Sequence, residues 1–332
     1  MKKNVIALAV AAAIAPGFAA AADSKVSGFV DIYYINADKD ADLLGNGKET
    51  SLFTANAEVD FASKLSDIVS VRTDIDLALA TNGGSNAPLG AVGGGPADSA
   101  VIEQAFFAAN VAEGVTVIGG VFNNPVGWEA EDVTDMYQVT HLKTWEVLDG
   151  QTALYGNNVA GVAVAGDLGP VTVTGAVLND IGGLTDKNSV ALVVNAAPMA
   201  GLDVELGYVT QETDHEDGGS TIDTAGNVTN FNVTYKNAGL TIGAEYMTAE
   251  EILDTGLSFT ANYMFTPALG ATLAYSSLDG DGFGDDADTR TSVAGIWNIA
   301  DNLSTLLEVT TDDAGDNTDS TTVTSIEFVA RF

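Results

Sequence analysis

Apolar and polar residues alternate with period two through most of the chain, in segments of about ten residues. In "SLFTANAEVDF", Phe53, Ala55, Ala57, Val59 and Phe61 share one face, and Thr54, Asn56, Glu58 and Asp60 share the other. "SVRTDIDLAL" opposes Val71, Thr73, Ile75, Leu77 and Leu79 to Arg72, Asp74 and Asp76. "GLDVELGYV" sets Leu202, Val204, Leu206 and Tyr208 against Asp203, Glu205 and Gly207, and "LTIGAEYM" sets Leu240, Ile242, Ala244 and Tyr246 against Thr241, Gly243 and Glu245. Successive side chains of a strand point to opposite faces, so these segments are two-faced strands. The last residues keep the pattern, with Ile326, Phe328, Ala330 and Phe332 alternating with Ser325, Glu327 and Arg331. A face carrying this much charge is expected to meet water.

The connections alternate as well. Short turns fall at 62–67, 112–114, 166–170, 197–201, 236–239, 266–270 and 298–302, and longer acid-rich segments at 37–50, 81–99, 123–155, 180–187, 211–226, 248–255, 279–289 and 312–319. Fifteen connections predict sixteen strands, near 25–36, 51–61, 68–80, 100–111, 115–122, 156–165, 170–179, 188–196, 201–210, 227–236, 239–247, 256–265, 269–278, 290–298, 302–311 and 320–332. An even set of antiparallel strands with short turns at one end and long loops at the other is the pattern of an all-β, transmembrane up-and-down β-barrel. The turns would then be periplasmic and the long acidic loops extracellular. In lipid each backbone N–H and C=O needs an internal partner, so such a sheet must close on itself. A soluble β-sandwich also alternates, but its loop lengths would not alternate systematically. Aromatics near the predicted strand ends (Tyr34, Phe61, Phe122, Tyr208, Tyr246, Phe265, Trp297 and Phe332) are expected to form the interfacial girdles.

Composition narrows the picture. Residues 1–22 read as a secretory signal peptide: Lys2 and Lys3, an apolar run from Val5 to Phe18, and Ala20-Ala21-Ala22 before Asp23. That run is too short to span a bilayer as a helix, which takes about 20 residues. Residues 23–332 are then a single barrel domain, exported through the periplasm to the outer membrane. The absence of cysteine excludes disulfides and thiolate metal sites. With 12 Lys+Arg against 46 Asp+Glu, a net charge of −34 excludes nucleic acid as a partner. Strand phase assigns Asp31, Glu58, Asp60, Arg72, Asp74, Asp76, Asp203, Glu205, Glu245, Glu308, Glu327 and Arg331 to the inside as pore-lining residues. Ten carboxylates against two guanidinium groups favour cations. The two histidines, His141 and His215, lie in acid-rich loops, and no catalytic constellation is expected. In "DKDADLLGNGKE", Asp38, Asp40, Asp42 and Glu49 follow a calcium-loop spacing, but Leu43 stands where the turn needs Gly. These are read as solvated loop acids, and neither a metal nor a cofactor is expected.

The signal segment, the opening "KVSGFVDIYYIN" and the terminal "EFVARF" together resemble Gram-negative outer-membrane porins, and "IEQAFFAANVAEGVTVIGGVFNNPVGWEAED" (102–132) is similar to β-barrel porins of the OmpL-like type. The resemblance implies passive diffusion of small hydrophilic solutes and ions. A substrate-specific channel, or a closed barrel acting as anchor or adhesin, stays open beside it. It also implies that the third long loop, 123–155, folds into the bore as a constriction carrying Trp128, Glu129, Glu131, Asp132 and Asp135. Pro125 and "EAEDVTDMY" would start a short helix there. General porins set such acids against an arginine cluster, and no such cluster is evident in the sequence. Outer-membrane lipid, lipopolysaccharide, a homotrimer and the barrel-assembly machinery reading Phe332 are further implications of the resemblance, while weak divalent bridging between the acidic loops and lipopolysaccharide phosphates stays open.

Overall fold

A computed structural model of the chain describes residues 23–38, 49–78, 100–183, 187–211, 215–217, 220–222, 226–283, 286–315 and 320–332. The signal segment, and Asp40, Asp42 and Leu43 of the calcium-like stretch, lie outside the described residues. The strands are β1 (Asp23–Ala37), β2 (Thr50–Lys64), β3 (Val69–Ala78), β4 (Ala100–Ala112), β5 (Val115–Asn123), β6 (Asn158–Asp167), β7 (Val171–Asn179), β8 (Asn188–Met199) and β9 (Leu202–Val209). They continue as β10 (His215–Asp217), β11 (Ser220–Ile222), β12 (Val228–Asn237), β13 (Leu240–Ala249), β14 (Leu253–Met264), β15 (Leu269–Asp279), β16 (Asp288–Ala300), β17 (Leu303–Asp313) and β18 (Thr321–Arg331). Among the described residues, β10 and β11 form a separate two-stranded sheet. The other sixteen strands form one closed antiparallel barrel in which each strand pairs with its neighbours along the chain and β18 returns to β1.

The seam shows how closure is achieved. β1 and β18 pair from Phe29↔Arg331 to Ala37↔Val323. Phe332 extends the ladder: its N–H donates to Gly28 O at 3.0 Å, and Gly28 N–H donates to Phe332 O at 3.2 Å. The connection between β13 and β14 is much shorter than the loop expected there, because both strands extend to leave only residues 250–252 between them.

The outer surface is an apolar belt. Val30, Ile32, Leu206, Phe259, Leu273, Val293 and Leu307 all point outward and are exposed, as are Phe61, Phe265, Trp297 and Phe332 near the short-turn end. Phe122 departs from the expected girdle. In β5 the outward phase is Val117, Gly119 and Val121, so Ile118 and Phe122 point inward, and both are buried. The inner face is not uniformly polar either. Ala163, Ala176, Leu178, Ala191, Val193, Val209 and Val228, from β6 to β12, join Phe122 in one buried apolar cluster. An apolar inner wall is stable only if something apolar covers it.

The outward phase has a direct consequence near the middle of β17. Leu307→Arg would place a charge in hydrocarbon and cost about 2–4 kcal/mol if the site lies near the bilayer midplane. Urea unfolding of the refolded chain in phospholipid vesicles measures this, and unchanged stability would overturn the lipid-facing assignment.

Candidate pore and its inserted loop

Residues 124–157 connect β5 to β6, and their neck is pinned before the loop leaves the wall. Asn124 N–H donates to Asn157 O at 2.8 Å, and its side-chain amide donates to Asn157 Oδ1 at 3.2 Å. Asn157 adopts a left-handed φ of 54°, a conformation in which asparagine is favoured over most residues. From there the loop crosses the inside of the barrel. Val126 is buried in the apolar cluster, against Gly207 of β9, where an added Cβ would lie 2.5 Å from Val126 Cγ1. Trp128 fills a second niche, over Gly243 of β13, where an added Cβ would lie 1.9 Å from the indole. Its Nε1–H donates to Thr234 Oγ1 at 2.7 Å and its backbone N–H to Glu245 Oε1 at 2.8 Å.

The expected helix at "EAEDVTDMY" does not form. That segment bends around Glu129, whose carboxylate accepts the Leu142 N–H at 2.7 Å, the Gln138 side-chain amide, and a contact from His141 Nδ1 at 3.2 Å. Gly127, at φ 105°, begins the bend. The helix, α1, comes later, at Lys143–Gln151. Leu142, at the N-cap, offers no side-chain capping bond, and the orphan N–H groups are satisfied from elsewhere. Glu129 takes Leu142 N–H, and Ser276 Oγ of β15 takes Lys143 N–H at 3.0 Å. Val147 and Leu148 of α1 then cover the apolar wall.

The wall carboxylates hold this loop. Glu308 of β17 accepts Val139 N–H at 2.7 Å, Thr140 N–H at 3.0 Å and Thr140 Oγ1–H at 2.6 Å, with Thr310 adding a hydroxyl at 2.9 Å. Glu245 accepts Trp128 N–H, Thr144 Oγ1–H at 2.6 Å and the Asn230 amide at 2.7 Å. Charge-assisted bonds of this kind are shorter and stronger than neutral ones. Lys143 pairs with Asp288 at 2.8 Å. Arg290 of β16 pairs bidentately with Asp312, at 2.7 and 2.8 Å, and reaches His141 O at 2.8 Å and Glu146. His141 stacks on Trp145 at a centroid distance of 3.7 Å.

The sequence-assigned inner residues therefore separate into groups. Glu245 and Glu308 dock the loop, and Glu205 is held by Asn195 at 2.6 Å and Asn232 at 3.0 Å. Asp203 sits exposed beside a short turn. Asp31 and Glu327 are buried on neighbouring strands, and Arg331 reaches Thr134 O of the loop at 3.5 Å. Glu58, Asp60, Arg72, Asp74 and Asp76 gather on β2 and β3, with Arg72 paired to Asp74 at 2.7 Å and to Asp60 at 3.4 Å. Glu131 and Asp132 of the loop face this group, and Asp135 closes a tight turn onto Asp132 O at 2.9 Å. Burial raises the Glu131 carboxyl well above its ordinary range, and neighbouring Asp132, Asp76 and Asp149 push the same way. The Asp132 carboxyl is likewise raised by burial, against lowering contributions from Glu58 and Arg72.

Two expectations change here. Most inward carboxylates are covered rather than bathed in water, because the loop occupies their side of the bore. Basic residues also face the loop after all, as Arg72, Arg290 and Arg331, drawn from three separated strands. Arg290 escaped the sequence reading because it lies at the edge of its predicted strand. Glu103 escaped for a different reason. Strict alternation from Phe106 would turn it toward lipid, but the β3–β4 register shifts opposite Asp74 and Ile75. The bulge lets Glu103 and Gln104 both point inward, where both are buried. A charged residue in the lipid phase of an otherwise regular strand was the available signal.

No protein-family model matches the chain, and no curated protein matches it in sequence. Solved structures do. OmpF of Salmonella typhi, in complex with daunomycin, superposes with a TM-score of 0.69 at 13% identity, over 93% of this chain and 97% of that one. The anion-selective porin of Comamonas acidovorans gives 0.66 at 10%, over 94% and 100%. The outer-membrane channel DcaP of Acinetobacter baumannii gives 0.62 at 14%, over 95% and 99%. At such identities the shared property is the fold, a porin-like sixteen-stranded barrel.

The niche at Gly243 is the most specific element of the docking. Gly243→Val must displace Trp128 and loosen the loop while leaving the barrel closed. Lys143, buried in the parent, is the loop's one trypsin site. Cleavage after Lys143, located by mass spectrometry, is expected to accelerate about tenfold or more in the variant. Equal protection in both proteins would show that the niche does not hold the loop.

Proposed function

We propose that the chain is an outer-membrane channel for passive diffusion of small hydrophilic solutes and ions, its bore narrowed by residues 124–157. The observation that carries this reading is a lipid-compatible closed barrel whose third long loop folds inside and is fastened to the wall on both its polar and its apolar sides. The chain would sit in the outer membrane with its short turns toward the periplasm and its long loops toward lipopolysaccharide. Phe332 at the seam would be the element that the assembly machinery reads. The apolar outer belt is compatible with a homotrimer. Carboxylates outnumber bases on the inner face, so the field inside favours cations.

A second reading has its own observation. Inward residues on many strands, including Asp31, Asn230, Thr260, Ser276 and Glu308, are at most 1% exposed. A bore filled to that degree suits a closed barrel serving as an anchor or adhesin. Planar-bilayer recording in a potassium chloride gradient separates the readings. Discrete conductance steps with a cation-selective reversal potential are expected. An anion-selective sign would overturn the preference, and a silent protein of native mobility would favour the closed barrel.

A further inference from the structure

We propose that Glu58 of β2, Asp76 of β3 and Glu103 of β4, faced from the loop by Glu131 and Asp132, form a binding site for one divalent hard cation of the calcium class. One carboxylate oxygen from each of Glu58, Asp76 and Glu103 lies within 4.8 Å of the others. Calcium binds oxygen at about 2.3–2.6 Å, so ligands on opposite sides of the ion lie about 4.6–5.2 Å apart. The three oxygens therefore fit around one ion without rearrangement of the backbone. Magnesium demands near-ideal octahedral geometry and usually keeps several waters, so a cage built from several protein carboxylates suits calcium better.

The decisive observation is Glu103. The bulge in β4 turns it inward, and it is 2% exposed. Its Oε1 accepts the Asn158 amide at 2.9 Å, while Oε2 has no hydrogen-bond partner. Glu58 is buried to the same degree. A buried carboxylate oxygen left unmatched is costly, and a cation is the partner that a ring of carboxylates lacks. Asp132 lies beside Glu58, and Glu131 lies near Asp76 and Glu103, so the loop adds two acids to the surroundings of the cluster. The nearby base is already committed. Arg72 is held by Asp74 and Asp60, and among the described residues none of Glu58, Asp76, Glu103 or Glu131 forms an ion pair. In the neighbouring triad of Glu58, Asp60 and Asp74, Arg72 thus pairs with two of the three acids, whereas among the described residues no base pairs with the triad containing Glu103.

This site uses residues from three barrel strands and the inserted loop, so a bound ion would fasten the loop to β2–β4, on a part of the wall where neither Glu245 nor Glu308 acts. It stands independently of whether the barrel conducts. The test uses the refolded full-length chain in detergent at neutral pH, with terbium as the probe. Tyr155, whose backbone O accepts from the same Asn158 amide that donates to Glu103, adjoins the cluster and serves as the sensitiser. Saturable tyrosine-sensitised luminescence, displaced by calcium, is expected for the parent chain. Glu103→Gln is expected to weaken calcium displacement about tenfold or more, since it removes one ligand charge. Asp301→Asn, in a short turn far from the cluster, controls for lost charge at exposed acids and is expected to match the parent. Calcium is also expected to slow trypsin cleavage after Lys143 in the parent and not in Glu103→Gln. If Glu103→Gln fails to show the heat-modifiable mobility of a closed barrel, Glu131→Gln carries the same comparison from the loop side. Equal calcium affinity in parent and variant, or no saturable binding, would overturn the site. Binding without conductance would leave it standing and remove the channel reading instead.

Discussion

A sheet that meets hydrocarbon cannot leave an edge, and everything else in this molecule follows from satisfying that condition. The β1–β18 seam removes the last unpaired ladder, ending on the exchanged bonds between Gly28 and Phe332. Once the sheet is closed, its outside must be apolar, and its inside becomes a second environment that the chain furnishes for itself. Part of that inside is apolar wall, and part is carboxylate. Neither is stable bare, and one inserted segment answers both. Val126, Val147 and Leu148 cover the apolar wall, while backbone N–H groups of the same segment supply donors to Glu245 and Glu308.

The acids of the inner face thus have a structural use before any electrostatic one. A loop without regular structure carries many backbone donors that it cannot satisfy internally. Glu308 takes two of them and a threonine hydroxyl at once, and Glu129 takes the donor just before α1. A large negative charge spread over the sequence therefore does not translate into an equal charge on open water. Among the described residues, Asp31, Glu103 and Glu131 keep buried carboxylate oxygens that no hydrogen bond matches.

The fold was legible because it is written locally. Alternation in "SLFTANAEVDF" or "GLDVELGYV" fixes which face each side chain takes, and the turn-and-loop rhythm fixes the count. The site was only half legible. Phase placed Glu58, Asp76, Glu245 and Glu308 inside, but nothing near them in sequence says what they bind. The loop partners of Glu245 and Glu308 lie more than a hundred positions away in the chain. Phe122 was misplaced because an aromatic at a strand end serves a girdle or a buried contact equally well, and only β5's phase decides. Glu103 was missed because a bulge breaks the period on which every phase argument rests. Acids and proline cluster before α1 and point to an earlier helix, whereas α1 forms where Glu129 and Ser276 accept its first N–H groups.

Those long separations bear on the order of events when the chain folds. The segment between β5 and β6 is made early, yet its anchors lie on β13, β14, β15 and β17, separated by 117, 114, 133 and 169 positions. Contacts so distant along the chain require loop closure before they contribute anything. The inserted segment therefore has no reason to adopt its final path until the wall opposite it exists. Its ordering is a late event, coupled to completion of the cylinder, and the lumen acquires its interior only after it has acquired its shape.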